Sequence, residues 1–311
     1  MIGCIPTPDF TSPMSGPDCP RPDFFGAPVF LEPRSFWSPG LFGAPVFFGA
    51  LELPSLESPE PKSPAPRRGL GADLRILLHL LRGQPKDGDQ RARLEAFYGP
   101  QAGHYDAFRD RLLHGREALI GDIQTALGNA LPGAHLIELG GGTGRNLEFF
   151  GSRLADFGQV TLVDLCPALL AQAREKFAGR KQIQLIEADA TRWQPEQPAD
   201  AVYCAYSLTM IPDWRAALAN AITMLKPGGV FGVVDFYVSA ARPPADQIRH
   251  NTLTRAFWPR WFAHDGVHPD PAHLAALREH FSDHQVTESR APVPYLPGLA
   301  VPYYRFIGRK I

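Results

Sequence analysis

The sequence predicts an α/β fold built on a mainly parallel, seven-stranded sheet with helices on both faces. Three observations predict it. Short apolar segments alternate with helical ones from His135 onward, a glycine-rich turn follows the first apolar segment, and two extended stretches close the chain. Strand–helix alternation is typical of βαβ units, whose strands run parallel. The closing stretches, Gln285–Ser289 and Tyr303–Ile307, are joined by a loop and predict an antiparallel end to the sheet.

The five strands of the parallel part are predicted in a regular order, at His135–Leu139, Val160–Asp164, Ile183–Glu187, Ala201–Tyr206 and Val230–Phe236. A helix is predicted after the glycine-rich turn, to about Leu154. Two others have clear boundary signals: Pro167–Phe177 has proline in its first turn, and Asp213–Leu225 has Asp213 as its N-cap. Further helical patterns lie at Pro244–Phe257 and Pro271–Phe281. Helices before the sheet, from Leu74 and at Arg91–Tyr98 and Tyr105–Ala130, form an N-terminal helical addition.

Proline divides the chain into two unequal parts. Of the 32 prolines, 15 lie in the first 70 residues, where Phe25–Phe30 and Phe42–Phe47 repeat the same six letters. Proline at this density prevents helices, and the composition favours a disordered tail. Two alternatives remain: a partner-binding arm anchored by its phenylalanines, and a coding start downstream of the segment. We expect residues 1–70 to be the Pro-rich tail and residues 71–311 to be one domain.

Charge and cysteine content limit the class of protein. The chain of 311 residues has 31 Lys+Arg against 32 Asp+Glu, so it lacks the basic excess of a nucleic-acid binder. Its four cysteines form no CxxC pair, which argues against a zinc ribbon and favours a reduced, cytoplasmic setting. The longest apolar run, near Leu41–Leu51, is too short for a bilayer span and contains Pro45. We therefore predict a cytoplasmic protein, with peripheral contact at the inner membrane face as one option.

The glycine-rich turn carries the strongest functional signal. Glu138 ends the first strand, and Gly140, Gly142 and Gly144 follow at a G-x-G-x-G spacing before a helix. Glycine allows a tight turn and a close approach of the backbone to a ligand. The spacing differs from the G-x-G-x-x-G of dinucleotide-binding proteins. Together with the acidic residue at the strand end, it resembles the motif of class I S-adenosylmethionine (SAM) methyltransferases.

Acidic residues also follow the next two strands. Asp164 ends the second strand, and Asp189 follows the third. Ligands of open α/β sheets bind outside the carboxyl ends of the strands, where a carboxylate can accept both ribose hydroxyls. Taken singly, Glu138 could be a salt-bridged strand end, Asp164 an N-cap and Asp189 a turn cap. Their occurrence at successive strand ends favours one shared site.

Residues from about Leu74 to Lys310 resemble the N-methyltransferases of betaine-lipid synthesis. The stretches that carry the resemblance are Tyr105–Leu113, Glu138–Asn146, Val163–Pro167, Tyr206–Trp214, Gly232–Phe236, Trp261–His268, Val293–Pro297 and Val301–Lys310. The resemblance implies three SAM-dependent methylations of diacylglyceryl-homoserine to diacylglyceryl-trimethylhomoserine. It also implies a functional partner, the enzyme that makes diacylglyceryl-homoserine.

The resemblance implies roles for particular residues. The implied SAM-binding set is Glu138, Gly140, Gly142, Thr143, Gly144, Asp164, Leu165, Asp189, Ala190 and Ser207. Tyr206 and His268 are the implied catalytic residues. Tyr105, Trp258 and Trp261 are the implied substrate-binding residues, because aromatic faces stabilise the growing cation.

A histidine-rich segment lies near the predicted helix Pro271–Phe281. The cluster of His264, His268, Asp270 and His273 has a metal-like spacing, but Gly266 and Pro269 argue against a shared helix face, and we expect no metal there.

Two alternatives to the function that the resemblance implies stay open. The acceptor could instead be a quinone precursor or a soluble amine. The fold could also bind SAM without catalysis and serve as a partner of another enzyme.

Overall fold

The computed structural model describes residues 89–98, 110–294, 296 and 298–311. Within them seven strands form one sheet in the order β3-β2-β1-β4-β5-β7-β6. Their bounds are β1 His135–Leu139, β2 Gln159–Asp164, β3 Ile183–Glu187, β4 Ala199–Ala205, β5 Leu225–Phe236, β6 Asp283–Pro292 and β7 Ala300–Arg309. Strands β1 to β5 pair in parallel, and β7 is antiparallel to both β5 and β6. The predicted fold class is confirmed.

Six α-helices accompany the sheet in the described part of the chain: α1 Gln90–Tyr98, α2 Arg116–Leu127, α3 Pro167–Lys176, α4 Trp214–Met224, α5 Thr252–Phe262 and α6 Ala272–His280. Short 3-10 segments occur at Gly128–Ala130, Arg145–Asp156, Leu208–Met210 and Ala263–Asp265. None of these described helices has the length and apolarity that crossing a membrane requires. The predicted N-cap of α4 is confirmed, because the Asp213 carboxylate accepts a hydrogen bond from the Ala216 N–H at 3.1 Å.

The sheet is covered on both faces, as neighbouring residues of β1 illustrate. Leu136 packs into one hydrophobic cluster with Leu119 and Ile123 of α2. Ile137, which points to the opposite face because strand side chains alternate, packs into a second cluster with α4 and α6. Burial on both faces explains why the strands read as continuous apolar runs.

Three helix predictions were wrong in extent: glycine interrupts two of the segments, and an asparagine N-cap sets the start of the third. The segment after the glycine-rich turn forms 3-10 turns broken at Gly151, whose φ is 58°. The predicted helix Tyr105–Ala130 is interrupted before α2 at Gly115, whose φ is 80°. The predicted helix Pro244–Phe257 instead begins at Thr252, where the Asn251 side chain accepts from the Thr254 N–H at 2.8 Å. The tail 1–70, the helix from Leu74 and Tyr105 lie outside the described residues.

Candidate cofactor and acceptor site

A cleft opens at the carboxyl ends of the parallel strands and encloses about 660 Å³, including its mouth. In open α/β sheets, ligands bind at this edge of the sheet. The segments that follow β1, β2, β3 and β4 all contribute to its wall. The lining residues are Gln90, Leu94, Gly140, Gly142, Val163, Asp164, Leu165, Cys166, Leu169, Ala188, Asp189, Ala190, Tyr206, Ser207, Met210 and Ile211.

The first wall of the cleft is the glycine-rich turn after β1. Gly140 and Gly142 have φ values of 73° and 57°, in the region that favours glycine. A Cβ at Gly140 would lie 2.4 Å from the Cβ of Ser207. The turn therefore needs glycine at 140 to pack against the end of β4, in addition to the predicted need for space near a ligand.

Asp164 is held by backbone donors on both sides. Its Oδ2 accepts from the Gly142 N–H at 2.8 Å, and its Oδ1 accepts from the Cys166 N–H at 2.8 Å. These two bonds fix the orientation of the carboxylate, whose oxygens act only as acceptors when it is ionised. The contact with Gly142 also couples the end of β2 to the glycine-rich turn, and fixes both on one side of the cleft.

The next wall is formed by the segment after β3. Asp189 is exposed at the cleft, and its Oδ1 accepts from the N–H and the hydroxyl of Thr191, both at 2.8 Å. Ala190 and Leu165 line the same cleft beside it. This arrangement combines an apolar slot with a carboxylate at its edge, which suits a planar base that carries an amino group.

Tyr206 and Ser207 lie where β4 ends. Tyr206 has a φ of 56° and is the one non-glycine residue with a positive φ among the described residues. Such a conformation is costly for a bulky residue, and it persists only where neighbouring contacts fix it. Here the Tyr206 hydroxyl donates to the His114 carbonyl at 2.6 Å, and the Ser207 hydroxyl donates to the Leu139 carbonyl at 2.7 Å.

Helix α1 closes one side of the cleft, which the sequence analysis did not predict. The side-chain amide of Gln90 donates to the Met210 carbonyl at 3.2 Å, and Arg91 forms an ion pair with Glu187. Leu94 packs against Cys166 and Leu169. The only sequence signal in α1 was a charge-rich helical pattern. That pattern does not indicate that Gln90 contacts Met210, which is 120 residues further along the chain.

Glu138, an expected SAM-binding residue, is not among the residues that line the cleft. Its side chain is fully buried below the glycine-rich turn, and its Oε1 accepts from the Asn146 amide at 2.6 Å. Burial raises the pKa of Glu138 to about 7, although the hydrogen bond from Asn146 acts in the opposite direction. Asn146 in turn accepts from buried Arg116 at 3.3 Å, so the structure makes Glu138 part of the support of the turn.

Two other residues of the expected SAM-binding set also lie outside the lining. Thr143 is buried, with 3% of its surface exposed. Gly144 has a φ of 72°, and a Cβ there would meet the Phe177 ring at 2.4 Å. Gly144 therefore allows the turn to pack against the end of α3, because the Phe177 ring lies too close to leave room for a side chain at position 144.

The described acceptor-side residues of the sequence analysis, His268, Trp258 and Trp261, do not line the cleft. His268 is exposed and does not line it, although its N–H donates to the Thr209 carbonyl at 2.8 Å, next to the lining residue Met210. Trp258 is a buried core residue, and Trp261 is half-buried. The structure therefore separates these three residues from the cleft that holds Tyr206.

A column of aromatic rings nevertheless links Tyr206 to Trp258. The ring centroids of Tyr206 and Phe236 are 4.6 Å apart, and those of Phe236 and Phe262 are also 4.6 Å apart. Trp258 follows at 5.6 Å from Phe262, and Phe257 at 4.9 Å from Trp258. This aromatic column, Tyr206–Phe236–Phe262–Trp258–Phe257, runs from the cleft to the outer face of α5.

Asp235, which the sequence analysis did not select, fixes the segment after Tyr206. Its buried carboxylate accepts from the N–H and hydroxyl of Thr209 at 3.0 and 2.7 Å. Burial raises the pKa of Asp235 to about 6. Because Met210 and Ile211 line the cleft next to Thr209, Asp235 positions this wall without lining it.

Comparisons with known proteins agree with this architecture. Residues 136–229 match a family model described as Methyltransferase domain. A ubiquinone/menaquinone biosynthesis C-methyltransferase UbiE of Shewanella halifaxensis is 30% identical over 152 residues, which are 48% of this chain and 59% of that protein. The counterpart of Shewanella woodyi is 29% identical over 168 residues, 52% of this chain and 65% of that protein. The chain thus spans less than two thirds of these curated relatives.

Two solved structures share the fold. Phosphoethanolamine N-methyltransferase 2 of Haemonchus contortus, in complex with phosphomonomethylethanolamine and S-adenosylhomocysteine, aligns with a TM-score of 0.57 and 18% identity over 73% of this chain and 61% of that chain. N-methyltransferase NodS of Bradyrhizobium japonicum WM9 aligns with a TM-score of 0.52 and 14% identity over 71% and 99%. At these identities the likeness shows the fold alone.

The matched domain and the shared fold are both those of Rossmann-like, class I methyltransferases. Proteins of this class use SAM as their cofactor. The cleft suits it, because two carboxylates face a slot with apolar walls and the glycine-rich turn closes one end. Among the expected SAM-binding residues, those on the cleft are Gly140, Gly142, Asp164, Leu165, Asp189, Ala190 and Ser207.

Proposed function

We propose that the chain is an N-methyltransferase that methylates the amine of diacylglyceryl-homoserine in successive SAM-dependent steps. The observation that carries the proposal is the aromatic column that starts at Tyr206 on the cleft wall. Aromatic faces stabilise quaternary ammonium groups, and each methylation brings the substrate nitrogen nearer to that state. The resemblance to betaine-lipid enzymes supports the same choice of acceptor.

In this proposal different cleft residues bind the ribose, the adenine and the amino-acid end of the cofactor. Asp164 accepts from the ribose hydroxyls, because backbone donors already orient its carboxylate. Asp189 and Ala190 bind the edge of the adenine, and Leu165 packs on its face. Gly140, Gly142 and Ser207 bound the amino-acid end. Bound SAM supplies an electrophilic methyl group, and the chain's part is to position the acceptor in line with it.

The acceptor nitrogen must be neutral to attack, and it gains a fixed positive charge on the third transfer. Tyr206 is the described aromatic residue that lines the cleft, so we assign its ring to contact with the nitrogen. Its hydroxyl already donates to the His114 carbonyl, which leaves the ring rather than the phenol as the functional group. His268 remains a proposed proton acceptor, one that would have to reach the nitrogen from outside the cleft.

A second candidate is carbon methylation of a quinone precursor. The curated relatives favour it, because they are named as ubiquinone/menaquinone biosynthesis C-methyltransferases. The aromatic column would then pack against the ring of the acceptor. The solved structures with the same fold are named as N-methyltransferases, so the fold accommodates both kinds of acceptor.

Incubation of the purified full chain with methyl-labelled SAM and each acceptor separates these candidates. The proposal predicts label in mono-, di- and trimethylated homoserine lipid, detected by mass spectrometry, and none in the quinone precursor or in soluble amines. Label in the quinone precursor alone would establish the second candidate. SAM binding without transfer to any acceptor would indicate a non-catalytic partner protein. In cells, the lipid product should require both this chain and the enzyme that makes diacylglyceryl-homoserine.

A further inference from the structure

Helix α5 exposes an apolar stripe on its outer face. Leu253, Phe257 and Arg260 follow each other at spacings of four and three, which places them on one side of a helix. Leu253 is 80% exposed and Phe257 is 39% exposed. Trp258 and Phe262 lie on the opposite side and are buried in the core. The helix therefore carries apolar side chains on its outer face as well as on the inner face that packs in the core.

The charge around this stripe has one dominant sign. Residues 239–262 contain four arginines, Arg242, Arg249, Arg255 and Arg260, against the single acid Asp246. Asp246 forms an ion pair with Arg278 at 2.6 Å, so its charge is already balanced from another element. A helix with large apolar side chains flanked by arginines has the composition of segments that lie in the interface of anionic membranes.

The stripe also lies at the functional edge of the sheet. Helix α5 follows β5, whose carboxyl end lies beside that of β4 and Tyr206. The aromatic column joins Tyr206 in the cleft to Phe257 on the outer face of α5. Two further exposed apolar residues, Ile248 before α5 and Leu299 between β6 and β7, are 45% and 43% exposed.

We propose that the outer face of α5, defined by Leu253, Phe257 and Arg260, docks the protein on a lipid bilayer that contains anionic lipids. Leu253 and Phe257 insert at the level of the acyl-chain boundary, and the exposed Arg249 and Arg260 contact the phosphates. The inference deepens the proposed function and rests on it for the choice of a lipid as acceptor. Docking through α5 brings the bilayer surface to the same edge of the sheet as the cleft, where a lipid head group has to enter.

Vesicle sedimentation of the full chain tests this surface directly. The probes are vesicles of phosphatidylcholine alone and of phosphatidylcholine with phosphatidylglycerol. We expect binding to the anionic vesicles that weakens with added salt. The double variant L253S/F257S should bind at least about tenfold more weakly, because two apolar side chains no longer leave water. The double variant R249A/R260A should lose about thirtyfold, since each basic residue near the surface contributes separately.

Matched controls keep the test specific. Ile311→Ser removes an apolar side chain that is 88% exposed at the end of the chain, and R180A/K181A removes two exposed charges before β3. Both should bind like wild type. Equal vesicle binding by L253S/F257S and wild type, or no binding of wild type to anionic vesicles, would overturn the proposal. Concentration-dependent self-association that L253S/F257S abolishes, without vesicle binding, would assign the stripe to a second copy of the chain and would also overturn it.

Methyl transfer to detergent-dispersed diacylglyceryl-homoserine separates the two proposals. If docking is right and the acceptor is right, L253S/R260A, which leaves the aromatic column intact, should methylate the dispersed lipid like wild type and lose activity on the same lipid in anionic vesicles. Vesicle binding without methylation of dispersed lipid would reject the acceptor and retain the docking surface. Methylation of dispersed lipid without vesicle binding would reject the docking surface and retain the acceptor.

Discussion

The hydroxyl of Tyr206 donates a hydrogen bond of 2.6 Å to the carbonyl oxygen of His114, and this bond ties the end of β4 to the segment before α2. It helps to hold Tyr206 at a φ of 56°, where its ring meets Phe236 and borders the cleft. The strained backbone, the hydrogen bond and the ring contact thus converge on one residue of the cleft wall.

Replacing Tyr206 by Phe should separate the hydroxyl from the ring. Tyr206→Phe leaves the His114 carbonyl without this donor, and we expect a loss of about 1 kcal/mol in the free energy of unfolding. SAM affinity should stay within about twofold of wild type, because the ring and backbone remain. Tyr206→Ala should in addition reduce methyl transfer to the amine. Denaturant titration and initial-rate measurements check both variants. Equal rates of methyl transfer by Tyr206→Ala and wild type would show that the Tyr206 ring does not contribute to the reaction.

Gly140 provides a test of the close packing between the turn and Ser207. Gly140→Ala places alanine in a backbone conformation with a positive φ, and it puts a Cβ 2.4 Å from the Cβ of Ser207. The variant should therefore lose several kcal/mol in the free energy of unfolding, roughly 1–2 from the backbone conformation and roughly 1–3 from the overlap. Gly133→Ala is the control, since its φ is 79° and no atom lies within 4 Å of the added Cβ. The double variant G140A/S207G should recover part of the loss. Equal melting of G140A and G133A would contradict the packing argument.

Glu138 should make stability depend on pH. Its pKa is raised to about 7 in the folded chain from an ordinary value of 4.5, so the folded state favours the protonated form. The contribution is fully present below pH 4.5 and is lost as pH rises through 7. Glu138→Gln cannot ionise, and relative to wild type it should gain stability between pH 5 and pH 8, by about 3 kcal/mol at most. Thermal unfolding of both proteins across this range is the measurement. A constant difference would show that Glu138 ionises freely in the folded chain.

Helix α1 should contribute to SAM affinity because Gln90 and Leu94 line the cleft. Leu94→Ser should loosen its contact with Cys166 and Leu169 and weaken SAM binding roughly fivefold, the equivalent of about 1 kcal/mol of lost apolar burial. Ala96→Ser introduces the same polar group on the exposed side of α1 and should leave affinity unchanged. If both variants bind SAM like wild type, α1 contributes nothing to the cofactor site.

The strand ends were predictable because of how parallel sheets are built. Asp164 and Asp189 follow successive apolar strands, and parallel strands bring their carboxyl ends to one edge, so the sequence pattern placed both on the cleft. The direction of Glu138 was not predictable in the same way. Neighbouring positions of a strand point to opposite faces, and the burial of Glu138 depends on Asn146 and the folded turn above it.

Other features depend on contacts between distant parts of the chain. The bond from Gln90 to Met210 has no local pattern that would signal it, and neither has the bond from Tyr206 to His114. The positions of Trp258 and His268 outside the cleft lining likewise have no local signal. Asn251 caps α5 later than the apolar pattern suggested, and along this helix Trp258 is buried whereas Phe257 is 39% exposed.

We propose that SAM binds in this cleft through Asp164. Calorimetric titration of SAM into wild type, Asp164→Ala and Glu175→Ala tests it most directly, with Glu175 as an exposed carboxylate of α3 outside the cleft lining. We predict that Asp164→Ala raises the Kd about 10- to 150-fold, the range for a charged hydrogen bond, and that Glu175→Ala leaves it unchanged. A Kd for Asp164→Ala equal to that of wild type would contradict the assignment of the site.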